Sequence, residues 1–264
     1  MEQDPFRLDG RRAMVCGASQ GIGRAVAERL ARQGAAVTVV GRHAEGLEAV
    51  RAGLAPVKDG AHRTLVVDFS DWKAVERAAD AEAAAGPVHV LIHNTGGPAA
   101  GFAIDAAPQD FENAFRMHVL TAQALVRALV PGMRQAGFGR VVAITSTSVV
   151  TPIRGLGVSN TIRAAMSNWA RSLAVELAPF GITVNVVLPG FTRTARLDSL
   201  FRGRAQRAGS SAEEVERDAI RGIPMGRIAS PEEIASAVAF LASPAASYVT
   251  GVNFPVDGGR LVLQ

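Results

Sequence analysis

Residues 13–23 read Ala13-Met14-Val15-Cys16-Gly17-Ala18-Ser19-Gln20-Gly21-Ile22-Gly23. A short apolar run passes straight into a glycine-rich turn, and an amphipathic stretch, Ile22–Gln33, follows at once. Glycines in such a turn let the backbone bend tightly and approach a phosphate. The helix opening behind it turns free N–H groups and a positive dipole end toward the same point. The motif carries meaning only between a strand and a helix, and that is its setting here. The spacing is G-x3-G-x-G, not the G-x-G-x-x-G of the commonest dinucleotide fingerprint. This stretch is read as the pyrophosphate site of a dinucleotide.

The same alternation continues outward along the chain. Strands are expected at Ala13–Cys16, Ala36–Val40, Thr64–Val67, Val88–Ile92, Arg140–Thr145, Thr183–Val187 and near Val252–Pro255. Their continuous Val- and Ile-rich character is that of strands buried on both faces. Helices are expected at Ile22–Gln33, Ala44–Ala52, Asp71–Ala85, Gln109–Met133, Gly157–Ala178 and Pro231–Leu241. Strand–helix alternation with right-handed crossovers gives an α/β fold: a Rossmann-type doubly wound parallel sheet of about seven strands with helices on both faces. No linker or repeat divides residues 1–264, so one domain is expected. The rhythm breaks only at 191–229, which is polar and Arg-rich, with a short helix expected at Ala212–Ile220. Following a strand end, this segment reads as a substrate lid, or else as a plain surface excursion.

The 264 residues are 48% hydrophobic, enough for a large core and too many for a disordered chain. The net charge is +4, and Lys58 and Lys73 are the only lysines. Arginines alternate with acids, as in Arg24, Glu28, Arg29 and Arg32, which is the pattern of solvated helix faces and not of a nucleic-acid stripe. Cys16 is the single cysteine, so no intrachain disulfide forms. That fits a reducing compartment. Met1–Gly10 has no apolar signal core, and no uncharged run nears the roughly 18 residues of a membrane span. A cytoplasmic protein is expected, with no membrane or nucleic-acid partner.

The second strand ends Val39-Val40-Gly41-Arg42-His43. A carboxylate at this tip would bind a ribose 2′-hydroxyl and mark NAD. None is present, and the Arg42 guanidinium suits a 2′-phosphate. NADP(H) is therefore expected, with NAD(H) as the alternative. Asp68-Phe69 and His93-Asn94-Thr95-Gly96-Gly97 close the third and fourth strands on the rim where a dinucleotide would run. His89 and His93 lie four apart on a strand and form no metal pair, and no metal site is expected.

Together these blocks resemble the short-chain dehydrogenase/reductase family, particularly its 3-oxoacyl-(acyl carrier protein) reductase-like branch, from Leu8 to Gly259. Gly17–Gly23 matches the family's glycine motif, with Cys16 where threonine is usual. His93-Asn94-Thr95-Gly96 matches its Asn-Asn-Ala-Gly block. Asp68 matches the acid that meets the adenine amino group. Asn185 through Thr194 matches the Pro-Gly block beside the nicotinamide, and Tyr248–Gly251 through Asp257–Gly259 matches the C-terminal block. The resemblance implies cofactor contacts at Gly17, Ser19, Gln20, Gly21, Ile22, Gly23, Arg42, Asp68, Phe69, Asn94, Gly96, Arg163, Pro189, Gly190, Thr192 and Thr194.

The family's catalytic residues are Ser, Tyr, a Lys four positions after the Tyr, and an Asn on the preceding helix. Alignment on Gly139–Val142 and Arg171–Ala174 places Ser146 on the Ser, Ser159 on the Tyr, Arg163 on the Lys and His118 on the Asn. Tyr248, the only tyrosine, lies in the C-terminal block. A serine hydroxyl is a far weaker acid than a phenol, and Arg stays protonated where Lys could relay a proton. His118 titrates near neutrality in principle and is a candidate acid/base; the competing reading is a neutral histidine filling a helix position.

Three functions follow. The first is an NADP(H)-dependent oxidoreductase acting on a carbonyl/alcohol pair with altered catalytic residues. The second is a catalytically silent NADP(H)-binding protein, a sensor or oligomer partner. The third is a non-redox reaction at the same site. Arg193, Arg196, Arg202, Arg204 and Arg207 favour an anionic substrate or an acidic carrier, unless they are merely solvated. The family commonly forms homotetramers through its two long central helices, here Gln109–Met133 and Gly157–Ala178. The stripe Trp169, Leu173 and Leu177 could serve that contact or the core.

Overall fold

The computed structural model describes residues 4–263, so Met1–Gln3, part of the Met1–Gly10 reading, and Gln264 lie outside the described residues. Seven strands form one parallel sheet: β1 (Arg12–Cys16), β2 (Ala36–Gly41), β3 (Arg63–Val66), β4 (Val90–His93), β5 (Gly139–Ile144), β6 (Ile182–Pro189) and β7 (Asn253–Val256). Their order is β3-β2-β1-β4-β5-β6-β7. The chain builds outward from β1 to β3, then crosses back to lay β4 on the other side of β1. Loops after β1 and β4 therefore diverge, and a crevice opens at the carboxyl ends of these two strands.

Side-chain alternation in the strands splits the interior into two layers. Met14, Cys16, Leu91, Val141, Val184 and Val186 face α3 (Trp72–Ala84), α5 (Thr121–Gln135) and α6 (Gly157–Leu177). Ala13, Val15, Val37, Val90, Ile92 and Val142 face α1 (Gly21–Arg32), α2 (Ala44–Ala52) and α9 (Pro231–Ala242). The inner strands are buried throughout, as their composition predicts. The edge strands β3 and β7 are not, because each has a neighbour on one side only. Trp169, Leu173 and Leu177 belong to the first core layer, with the Trp169 indole N–H donating to Gln123 Oε1 at 2.8 Å.

The stretch Gln109–Met133 is helical as expected, but it is not a regular α-helix. α4 (Pro108–Phe115) runs into a π turn at Arg116–Leu120 before α5 begins. Within 191–229, where one short helix is expected, there are two: α7 (Ala195–Ala208) precedes the expected α8 (Ala212–Arg221). Thr194 caps α7 by accepting the Leu197 N–H at 3.3 Å, and Leu197, Phe201 and Ala205 form its buried stripe. The segment closes on itself at its base. Arg193 N donates to Ala229 O at 2.9 Å, and Ala229 N donates to Phe191 O at 3.0 Å. Arg193 also pairs with Glu216 and ties α8 to the foot of α7.

Candidate active site

At the crevice, Gly17 has φ +61°, which L side chains rarely adopt, and a Cβ there would lie 2.5 Å from the Asn94 carbonyl oxygen. The Asn94 side-chain amide donates to Cys16 O and Gly17 O, both at 3.4 Å, so β4 braces the turn that follows β1. Gly23 is one helical turn further on. A Cβ at Gly23 would meet Gly17 O at 2.1 Å, so the first turn of α1 rests directly on the glycine loop. Gly23 thus shapes the loop from behind, while Gly17, Ser19, Gln20, Gly21 and Ile22 face the cavity. No acid occupies the first turn of α1, and Gln20 makes no side-chain cap. Its free N–H groups and dipole are left for an anion.

One cavity of about 930 Å³ extends from this turn to the segment 191–229. Besides the five turn residues it is lined by Arg42, Phe69, Asn94, Gly96, Ser146, Ser159, Arg163, Pro189, Gly190, Thr192 and Thr194, all expected from sequence. Arg42 is exposed at the tip of β2 and pairs with no acid among the described residues. Asp68 does not line the cavity. It is exposed on the outer rim, where the Ser70 N–H, and more weakly Arg42, hold its carboxyl below the usual carboxylate range.

Arg163 and Ser159 share a face of α6. Arg163 Nε donates to Ser159 Oγ at 3.2 Å, and Nη1 donates to Thr145 O at 2.7 Å, at the end of β5. Nη2 is left over. It lies near Gly97, where a Cβ would sit 3.3 Å from it and 3.4 Å from Arg196 Nη2. Burial and the neighbouring Arg196 lower the Arg163 pKa to about 10, so it is still a cation at neutral pH. Because Ser159 Oγ accepts from Arg163, its own hydrogen is free to donate into the cavity. Ser146 caps the turn Thr147–Val149, its Oγ accepting the Ser148 N–H at 3.1 Å, and joins Ser159 on the cavity wall.

His118 is placed differently from a catalytic acid. It sits in the π turn behind the wall, buried, with Nδ1 held 2.7 Å from Thr95 Oγ1. Burial, then the Arg163 charge, push its pKa down to about 3, so it is a neutral imidazole at physiological pH. His93 beside it is likewise pushed down to about 4 by burial. Burial pushes the Cys16 thiol up to about 12, which makes it inert. No metal-binding cluster occurs among the described residues, and none of their helices is long and apolar enough to cross a membrane.

Of the five arginines singled out between 193 and 207, only Arg193, Arg196 and Arg204 reach the cavity; Arg202 and Arg207 do not. Sequence reasoning missed Arg260, which follows β7 and lines the same space. It also missed that Arg196, Leu200 and Arg204 stand at i, i+4 and i+8 of one helix, a signal available once α7 is recognised.

A family model described as enoyl-(acyl carrier protein) reductase matches residues 17–260. The short-chain reductase protein NovJ of Streptomyces niveus is 35% identical over 252 residues, covering 94% of this chain and 93% of its own. The 3-oxoacyl-(acyl-carrier-protein) reductase FabG of Escherichia coli (strain K12) is 34% identical over 261 residues, covering 98% of this chain and 100% of its own. The crystal structure of L-sorbose reductase from Gluconobacter frateurii, complexed with NADPH and L-sorbose, has a TM-score of 0.90 at 28% identity. It covers 98% of this chain and 99% of its own.

Proposed function

The chain belongs to the short-chain dehydrogenase/reductase family, of the 3-oxoacyl-(acyl carrier protein) reductase-like kind, and from that premise we propose an NADP(H)-dependent oxidoreductase acting on a carbonyl/alcohol pair. The observation that carries this reading is the continuity of one cavity from the glycine turn and Arg42 to Ser146, Ser159 and Arg163. The cradle fits a dinucleotide: Gly17 takes a backbone conformation and a closeness to Asn94 that no side chain allows, α1 offers an anion its bare N-terminus, and Arg42, which pairs with no acid among the described residues, stands where a 2′-phosphate belongs. NADPH supplies a hydride when bound, and the NADPH-complexed sorbose reductase supports that cofactor choice. The chain acts as one dinucleotide-binding unit, with 191–229 as its substrate lid. It works as a homo-oligomer in the cytoplasm.

On the substrate side, the Ser146 and Ser159 hydroxyls donate to the carbonyl oxygen. Arg163, fixed by Thr145 O, holds the negative charge that develops there. Such preorganised donors contribute about a hundredfold or more each to turnover. NADPH consumption with a panel of ketones and oxo-acids tests this. Turnover that falls by about a hundredfold in Ser146→Ala and Arg163→Ala supports it. Tight NADPH binding with no turnover of any substrate favours the alternative, a silent NADP(H)-binding protein.

A second reading is favoured by the lack of a histidine or a phenol beside Ser146 and Ser159 among the described residues: His118 lies behind the wall, and His43, which does line the cavity, follows Arg42 at the opposite end. Reduction of a carbon–carbon double bond conjugated to the carbonyl develops an enolate instead of an alkoxide. A fixed cation stabilises an enolate without passing it a proton, and the α-carbon takes its proton from water. Comparing an enone with its saturated ketone decides between the two readings: conversion of the enone alone selects the second.

A further inference from the structure

The lid end of the cavity is lined by two arginines that form no ion pair among the described residues. Arg204 comes from α7, and Arg260 from the turn after β7, its guanidinium 4.3 Å over the Phe191 ring. Both are half-buried, and both also line a second hollow of about 440 Å³ beside α8, so they stand where the two spaces meet. Among the described residues neither forms an ion pair, whereas Arg193 in the same lid is neutralised by Glu216. Asp257 lies near Arg260, but its two oxygens accept the Gly259 and Leu261 N–H groups at 2.9 and 2.8 Å. Burial, and then Arg204, make the Arg260 charge harder to hold. Phe191, Phe201 and Leu200 form the apolar wall around the pair, which strengthens any charge interaction there. Two neighbouring, partly desolvated cations, with the Asp257 carboxylate near Arg260 but no ion pair on either among the described residues, carry a net positive charge that suits an oxyanion, and guanidinium forks match carboxylate and phosphate.

We propose that the substrate is an anionic small molecule whose carboxylate or phosphate seats between Arg204 and Arg260 while its reacting group lies at Ser146 and Ser159. This rests on reading the cavity as a reductase site, and it narrows the substrate class. Arg196, tethered to Pro98 O at 2.5 Å, lies between the two ends and steers the charge inward.

Calorimetric titration of the full chain, with and without NADPH, uses inorganic phosphate and glutarate as probes. Saturable binding is expected for at least one, and the tighter of the two identifies the group. The double variant Arg204→Gln/Arg260→Gln weakens that probe by about tenfold or more, leaves NADPH affinity unchanged, and raises KM for an oxo-carboxylate more than it lowers kcat. The Lys/Lys double variant recovers part of the affinity, which a merely structural role would not produce. Arg193→Gln leaves probe affinity as it was, because Glu216 already neutralises that charge. Unchanged probe affinity in the Gln/Gln variant overturns the proposal. So does equal turnover of an oxo-carboxylate and its methyl ester, or turnover only of carrier-bound acyl groups with no affinity for either probe. Probe binding that follows the expected pattern in a chain that fails to bind NADPH sinks the reductase reading and leaves the anion site standing.

Discussion

The sequence resemblance aligns Arg163 with the family's lysine, and the two residue types differ in reach as well as in acidity. The Arg163 fork serves Ser159 Oγ and Thr145 O at once and still leaves Nη2 toward Gly97. A lysine has one nitrogen for all three tasks. Arg163→Lys is therefore expected to keep the charge but lose turnover by about tenfold, from loss of one charge-assisted hydrogen bond. Steady-state kinetics with NADPH saturating checks this. Arg42→Ala is expected to weaken NADPH by about ten- to a hundredfold, for the same class of bond, and to leave NADH near its starting affinity. His118 and His93 bind protons in the unfolded chain below about pH 6.5. In the folded chain they stay neutral down to about 3 and 4. Their folded values are depressed, so protonation favours unfolding. Their contribution to stability is full above pH 6.5 and is lost as pH falls toward 4, by at most about 1.4 kcal/mol per pH unit for each histidine. Thermal melts between pH 7 and 5 should show the loss, and His118→Asn should flatten it while leaving the shape of the pH–rate profile unchanged. The sequence located His118 by alignment. Its role depended on burial, which is set by α6 and β4 from elsewhere in the chain and has no local signature.

At the level of elements, the glycine turn was legible because three local signals coincide there: an apolar run, glycines and an opening amphipathic helix. Gly23→Ala forces a side chain against Gly17 O, so it should abolish NADPH binding while leaving the far-UV helical signal largely intact. α7 was hidden by its arginines. Its cap Thr194 and its stripe Leu197, Phe201 and Ala205 are ordinary helix signals diluted by the many polar residues between them, of which Arg196 and Arg204 line the cavity. Thr194→Ala removes the cap and should cost about 1 kcal/mol locally, read as faster amide exchange across 195–208. The π turn was hidden for a different reason. Ala114, His118 and Ala122 are spaced by two successive steps of four, which an unbroken helix also tolerates. The extra residue is absorbed without breaking the apolar rhythm.

Across the whole molecule, a parallel sheet covered on both faces was legible from alternation, but the strand order, with the jump that sets β4 beside β1, was not. That jump brings Asn94 to Gly17 and makes the crevice a property of the entire sheet. Ligand binding there should stabilise the whole fold. At a hundredfold excess over its dissociation constant, NADPH adds about 2.7 kcal/mol, or roughly 5–10 °C in Tm for a chain of this size, and NADH at the same concentration adds less. Differential scanning fluorimetry reads this directly.

The packing of α1 against α9 has a consequence for how the protein comes into being. α1 carries the first turn of the cofactor cradle, yet its face Ala25, Val26 and Leu30 shares a core layer with Ile234, Ala235 and Val238. On the ribosome, the cradle's helix must wait with a bare apolar face for nearly the full length of synthesis. A nascent chain halted before residue 231 already holds Gly17, Arg42, Asn94, Ser159 and Arg163, and it is expected to cling to chaperones and to ignore NADPH. A helix more than 200 residues further along the chain is what turns α1 into a binding site.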